Sequence, residues 1–240
     1  MKYKIFRFKS LISTQDKARE LSRKGLSNIV VISDTQTKGK GRFQRKWHSG
    51  KGGLWMSILL KPGNMQDIQY LTFAAAISVA KSIKKIAKIN SNIKWPNDVH
   101  YKGRKLCGIL TENIFGKENH VIVGIGLNAN QDKFPHDIKD IATSIKIITN
   151  KKTNINDLSQ NIINEFFNIY KNQYNKNKLT NITKEWKKYC DTMGRKVSVI
   201  AKDGTLKGKA IGIDENCSLL LKLDNGKIRK VMEGDIKVRY

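Results

Sequence analysis

Cysteine is scarce in this chain. The three present, Cys107, Cys190 and Cys217, form no CxxC pair and leave an odd one over. That excludes a disulfide framework. With no apolar signal region after Met1-Lys2-Tyr3-Lys4, it points to a reducing, cytoplasmic setting. The four histidines are scattered without metal-ligand spacing, so no structural zinc is expected. No apolar run approaches the roughly 20 residues of a membrane span, and no membrane association is expected. Carboxylates are few as well, 20 against 46 Lys and Arg, for a net charge of +26.

Arginine is the scarce cation, with 9 Arg beside 37 Lys. A strongly basic chain raises the possibility of nucleic-acid binding. However, residues 1–192 hold 35 basic and 14 acidic side chains, and residues 193–240 hold 11 and 6. The density is nearly even, so no basic tail or block exists. Lysine accumulation by codon-composition drift accounts for the excess better than a nucleic-acid function. Three of the nine arginines, Arg42, Arg45 and Arg104, fall in two short segments, where a planar fork that lysine cannot replace would explain them.

What is present is a globular chain of 240 residues, 39% hydrophobic. Tyr3 to Phe8 reads as a strand. Ser13-Thr14 precedes a helix start and suits an N-cap. Asn28–Ser33 and Leu54–Leu60 read as strands, and Ile68–Ile89 as a long helix with Leu71, Ala75, Val79, Ile83 and Ile86 on one side. Lys105–Glu112 and His120–Asn128 read as further strands. On strict alternation Lys105, Cys107 and Ile109 share one face, which leaves a lysine on a side that should be buried. Asp157–Tyr174 reads as an amphipathic helix. After Met193-Gly194 come short β-rich runs, from Lys196–Ala201 to Ile236–Arg239, that read as a small antiparallel barrel. The expected division is 1–191 and 192–240.

Two segments carry the chemistry. The first is Thr35 to Trp47, Thr-Gln-Thr-Lys-Gly-Lys-Gly-Arg-Phe-Gln-Arg-Lys-Trp. Gly39 and Gly41 offer backbone angles closed to other residues, and Lys40, Arg42, Arg45 and Lys46 supply cations. Convergent N–H groups and guanidiniums suit a phosphate or carboxylate. No Gly-Lys-Ser/Thr ends the loop, so it is not a P-loop. A mobile basic surface loop is the plain alternative. The second is Lys94-Trp95-Pro96-Asn97-Asp98, where Pro96 interrupts a strand and places Asn97 and Asp98 at an irregular turn. Gly124 and Gly126 recur on one face of the strand that follows, leaving room for something to lie on the sheet.

The loop Gln36–Trp47, the segment Lys94–Asp98, the strand Lys105-Leu-Cys-Gly-Ile109 and the β-rich tail occur in one order that resembles biotin protein ligases, over essentially the whole chain. The resemblance implies an α+β fold: a mixed, largely antiparallel sheet flanked by helices, with the small barrel behind it. It implies activation of biotin by MgATP to biotinyl-5'-AMP, then transfer to a lysine of a biotin carboxyl carrier domain. It also implies the short form of the family with no specific DNA binding, as a monomer or homodimer.

Carried over residue by residue, Arg42, Lys105 and Asp98 are the implied catalytic residues. Ser13, Thr14, Gln36, Gly39, Lys40, Arg42, Lys105, Gly108 and Gly124 are implied at the biotin site. Arg42, Arg45, Trp47, Asn97, Asp98, Lys105, Asn128 and Arg239 are implied at the ATP site, with Asp98 toward Mg2+. Two positions depart from the pattern. Lys40 stands where the family has an arginine, and Gln15 follows Ser13-Thr14 where the family has Asn. A lipoate or octanoate ligase or transferase of the same fold is the nearest alternative, and the double motif argues against it. A basic nucleic-acid-binding protein is the third, opposed by the tail's ordinary charge and few aromatics.

Overall fold

All residues of Ile29–Ser33 (β2) and Leu54–Leu60 (β3) are buried, which requires cover on both faces of the sheet they form. The chain is described by a computed structural model over residues 2–65, 67–201, 204–232 and 234–238. Its larger sheet has seven strands in the order β1-β2-β3-β7-β6-β5-β4. The remaining strands are Lys4–Phe8 (β1), Asn92–Lys94 (β4), Asp98–Tyr101 (β5), Arg104–Ile114 (β6) and His120–Leu127 (β7). Only β1 with β2 is parallel among the described pairings, so the sheet is mixed and largely antiparallel, as expected.

The two faces do different work. Val30, Ile32, Ile58 and Leu60 point to the main core under the helices Gln69–Ala87 (α2), Ile155–Ile169 (α4) and Leu179–Tyr189 (α5). There Phe73 of α2 stacks on Trp186 of α5 with centroids 4.2 Å apart. A five-residue helix, Ile145–Thr149 (α3), is capped by the Ser144 hydroxyl. The alternate residues Ile29, Val31, Leu59 and Ile122 face the helix Thr14–Arg23 (α1), meeting Ala18 and Leu21. Ser13 caps α1, its Oγ accepting from the N–H groups of Gln15 and Asp16. α1 is only ten residues long, so it covers one end of this face and leaves the strand ends beyond it open.

Three elements differ from their sequence reading. The helix expected over 157–174 begins at Ile155 and runs regularly to Ile169, then widens into a π-turn over Tyr170–Tyr174. Both tyrosines are buried and stacked at 5.4 Å, and the Tyr174 hydroxyl donates to the Asn64 carbonyl; the wider turn lets both rings face the core. Glycines 39 and 41 do not carry the left-handed angles of their loop. Phe43 (φ 54) and Gln44 (φ 57) do. Third, β6 gains a residue at Leu106 against β5, so that Val99 pairs with Cys107 but His100 with Lys105. The bulge reverses alternation, and Lys105 lands on the face of Gly108 while Cys107 and Ile109 stay in the core.

Lys196–Ala201 (β8), Gly204–Ile213 (β9), Leu219–Leu223 (β10), Ile228–Val231 (β11) and Asp235–Val238 (β12) form the second sheet, antiparallel in the order β11-β10-β9-β8-β12. Trp95, at the turn between β4 and β5, joins the two sheets. Its backbone N–H donates to Thr192 Oγ1 and its indole N–H to the Cys217 carbonyl. No helix among the described residues is long and apolar enough to cross a membrane.

Burial raises all three thiols above their ordinary range: Cys190 is pushed up to about 11, and Cys107 and Cys217 go further. At pH 8 even Cys190 is thiolate in only about one molecule in a thousand. A thiol-disulfide probe such as DTNB is therefore expected to leave the native protein unlabelled at pH 8 and to label all three cysteines promptly in denaturant. Rapid labelling of a folded cysteine would show that the core is open there.

Candidate functional site

Beyond the end of α1 the open face of the sheet is floored by missing side chains. On β7 the residues that face the α1 side are Ile122, Gly124 and Gly126. Gly108 of β6 lies directly opposite Gly126, and Ser57 and Trp55 of β3 flank the other side. A cavity of about 810 Å³ stands over this floor. Its wall includes Ser13, Thr14, Gln15, Gln36, Lys40, Arg42, Arg45, Trp47, Asn97, Asp98, Lys105 and Asn128. Ile200, Gly234 and Ile236 of the second sheet close one side.

The basic loop forms a hydrogen-bonded hairpin. Trp47 N–H donates to the Gly39 carbonyl and Gly41 N–H to that of Arg45. Trp47 is thereby laid on the floor: a Cβ on Gly126 would stand 2.5 Å from its Nε1, and one on Gly108 would stand 3.0 Å from its ring. Gly39 itself is buried and off the cavity wall. Its missing side chain serves Ser49 and Trp47, since a Cβ there would lie 2.3 Å from Ser49 Oγ and 2.5 Å from the Trp47 carbonyl. Lys40 reaches back to α1 and pairs with Asp16 at 2.6 Å.

The turn Trp95-Pro96-Asn97, with a cis Trp95–Pro96 bond, sets two polar residues side by side. Asn97 is held from both ends: its Nδ2 donates to the Ile109 carbonyl at 2.7 Å, and its Oδ1 accepts from Arg42 at 3.0 Å. Arg42 also reaches the Gly234 carbonyl at 3.3 Å. Asp98, next in the chain, pairs with Lys105 at 2.7 Å and faces Lys94 at 3.9 Å. The Lys105 ammonium stands 5.3 Å from the Trp47 ring centre. The loop arginine and the strand lysine are thus anchored on successive residues of one turn. Six lysines and arginines line the cavity against the single carboxylate of Asp98 among the described residues. Such a wall suits a ligand with more than one negative charge.

At the other end, Thr14 and Gln36 satisfy each other. Gln36 Oε1 accepts from the Thr14 N–H (2.7 Å) and hydroxyl (3.0 Å), and its Nε2 donates to Ser49. The Thr14 hydroxyl also meets Ser57 of the floor at 2.8 Å. The space above Gly124 is filled by Gln15, whose Cδ and Oε1 would stand 2.9 Å from a Cβ there. Asn128 anchors the strand exit, its N–H donating to the Leu106 carbonyl.

Of the residues singled out in the sequence, Ser13, Thr14, Gln36, Lys40, Arg42, Arg45, Trp47, Asn97, Asp98, Lys105, Gly108, Gly124 and Asn128 meet around one cavity. Gly39 does not, and Arg239 lies outside the described residues. Sequence reasoning missed His100, which lines the cavity and stands 3.0 Å from Asp191, and His48, 3.5 Å from Asp137. His48 directly follows Trp47 and His100 stands two residues past Asp98, just outside the two segments that drew attention. It also missed the apolar wall of Phe134, Ile138 and Ile141, because 129–142 shows no periodicity. No cluster of three or more His, Cys, Asp or Glu that could hold a metal occurs among the described residues. A lone carboxylate still fits magnesium, which keeps several waters and takes one or two carboxylates together with substrate phosphates.

Comparison with known proteins bears on this arrangement. The Biotin/lipoate A/B protein ligase family matches residues 7–128, and the Biotin protein ligase C terminal domain matches residues 192–239. The bifunctional ligase/repressor BirA of Bacillus subtilis is 38% identical over 235 residues, covering 95% of this chain and 72% of that protein. The biotin–[acetyl-CoA-carboxylase] ligase of Mycobacterium tuberculosis is 31% identical over 134 residues, 53% of this chain and 48% of that one. The biotin protein ligase of Aquifex aeolicus in complex with biotin and ATP superposes with a TM-score of 0.87 at 29% identity, covering 98% of each chain.

The floor is tested without any ligand. A methyl at Gly126 would collide with the Trp47 indole. Gly126→Ala is expected to displace that ring, change the near-UV dichroism and cost about 1–3 kcal/mol of stability. An unchanged spectrum and melting curve would mean that Trp47 does not rest on the floor.

Proposed function

The chain belongs to the biotin protein ligase family, and from that premise we propose how its own residues divide the work. It is an ATP-dependent ligase: biotin and ATP are its substrates, Mg2+ is the ion of the reaction, and a biotin-carrying protein is the acceptor. We take that acceptor to be a biotin carboxyl carrier domain. We also take residues 1–191 as the catalytic domain and 192–240 as a small second one, a division supported by the second family match over 192–239.

In the first step a carboxylate oxygen of biotin forms a bond to the α-phosphorus of ATP, and the bond to the departing pyrophosphate breaks. Two anions must meet, so the barrier is largely their repulsion and the charge that builds on the phosphoryl oxygens. Lys105 is the residue assigned between them. Its ammonium touches both reactants, and Asp98 at 2.7 Å and the Trp47 ring hold it in place. Arg42, steadied by Asn97, supplies a planar fork to the phosphoryl group, and Arg45 takes the outer phosphates. Magnesium, held by Asp98 and water, would neutralise phosphate charge when bound. Trp47 and Asn128 border the nucleotide, and Arg239 is carried over as a tail contact.

Biotin's apolar part packs above the glycine floor, where Gly108 and Gly124 let Trp47, Lys105 and Gln15 lie close to the sheet beneath it. Ser13, Thr14, Gln36 and Lys40 meet its polar ends, with Gln36 also bonded to Thr14. In the second step the acceptor lysine's neutral nitrogen attacks the acyl carbon, the acyl–phosphate bond breaks and AMP leaves. Asp98 orients the amine, whose proton passes to water. The pairing of Arg42 with Asn97 and of Lys105 with Asp98 across one turn is the observation that carries this reading.

Arg42→Ala and Lys105→Ala are each expected to lower adenylate formation at least 100-fold while leaving the melting temperature near that of the parent. Mass spectrometry after incubation with biotin and MgATP reads the adenylate; a normal yield in either variant would remove that residue from the chemistry.

The surplus positive charge gives a separate test. Carrier domains of this class tend to be acidic, and a basic mouth raises association rates by roughly 10–1,000-fold at low salt. Transfer to the carrier, measured as kcat/KM, should therefore fall steeply as salt is raised, while adenylate synthesis changes less. Salt-independent transfer would leave lysine drift as a sufficient account of the charge.

A further inference from the structure

Gln15 is buried in the cavity wall, and its carboxamide can be oriented from its neighbours alone. Its Nε2 lies 2.8 Å from Glu112 Oε2 and 3.3 Å from the Leu110 carbonyl. Both neighbours are acceptors only, so the amide NH2 must face them. Oε1 is left over the gap at Gly124, with no protein donor to it among the described hydrogen bonds. Gln36, by contrast, has both ends of its carboxamide engaged. The residue that turns Gln15 is therefore Glu112, which lies off the cavity wall on β6. The same Oε2 of Glu112 receives Arg19 of α1 at 3.2 Å, so a cation holds the carboxylate that holds the amide.

We propose that Glu112, braced by Arg19, is a positioning residue that fixes the Gln15 carboxamide with its oxygen toward the cavity, so that the chain selects a ligand presenting an N–H at the Gly124 end. This rests on the ligase reading, in which the ligand's ureido ring carries two such N–H groups. It gives the Gln at position 15 a purpose. Its extra methylene needs the space that Gly124 leaves empty, and its orientation needs a carboxylate across the strand. A Gln in the opposite orientation would present NH2 and favour a carbonyl instead.

The test couples the protein change to the ligand change by calorimetry. Biotin and a biotin methylated on both ureido nitrogens are titrated into the parent, Glu112→Ala and Arg19→Ala. Biotin binding should weaken about tenfold in Glu112→Ala and roughly two- to threefold in Arg19→Ala, the scale of one neutral hydrogen bond. The methylated ligand, which cannot donate, should bind all three proteins equally, or the variants slightly better. Equal losses for both ligands would make Glu112 merely structural and overturn the proposal, as would unchanged biotin binding. Should Glu112→Ala not fold, the same ligand-selective loss in Arg19→Ala decides the matter. A parent protein that binds neither ligand overturns the ligand assignment, a result distinct from a loss confined to the variants.

Discussion

The site depends on space that three glycines leave empty on one face of two strands. Side chains at 108, 124 and 126 would fill the floor, and the vacancies are taken by three residues of the cavity wall. Trp47 lies over Gly126 and Gly108, Lys105 reaches across Gly108, and Gln15 lies over Gly124. The vacancies therefore do not simply make room for a ligand. They let residues from a loop, a strand end and a helix start converge on the sheet without lifting off it. A sheet with ordinary side chains there would pack more apolar surface, and the same motif residues would have nowhere to meet. Function here occupies the volume that stability would otherwise use.

The second constraint is the bulge at Leu106. Without it Lys105 would stand beside Cys107, under α2, where an unpaired ammonium is strongly disfavoured. With it the lysine crosses to the polar side and finds Asp98 at 2.7 Å. One inserted residue thus turns Lys105 from the core-facing side of the strand to the cavity-facing side. The same strand continues past Leu110 to Glu112, where alternation places the carboxylate on the α1 side, within reach of Gln15 and Arg19.

Much of the fold was legible because burial follows periodicity. The long helix over 68–89 and the strands at 28–33, 54–60 and 120–128 lie within a residue or two of their observed bounds. The convergence of the basic loop with Lys94–Asp98 was legible only through family resemblance, since nothing local in either segment points to the other. Three things were not legible, each for a physical reason. A bulge is set by the partner strand's register, which no single strand reveals. The left-handed angles at Phe43 and Gln44 fall on residues that rarely adopt them, so the glycines drew attention instead. The carboxamide partners of Gln36 and Gln15 were not legible either: Gln36 bonds to Thr14 and Ser49, and Gln15 to Glu112 and the Leu110 carbonyl. Carboxamide roles depend on neighbours 20 to 100 residues away, as the separations of Thr14 from Gln36 and Gln15 from Glu112 show.

The division of labour between the sheet's faces has a consequence for how the protein tolerates change. On the helix-covered face, stacked pairs such as Phe73 with Trp186 and Tyr170 with Tyr174 hold α2, α5 and the end of α4 together, and Lys81 of α2 adds ion pairs to Glu185 of α5 and Glu165 of α4 at the rim. On the open face, cohesion comes from ionic and polar pairs: Lys105 with Asp98, Lys40 with Asp16, Arg42 with Asn97 and the Gly234 carbonyl. The last of these crosses from the loop to Gly234, which leads into β12 of the second sheet. Trp95 remains as a neutral tether to Thr192 and Cys217, unaffected by charge. Tyr70 of α2 adds a further neutral link, its hydroxyl donating to the Glu215 carbonyl. Apolar residues of both sheets share one core, so the contact at the site is backed by several that carry no charge.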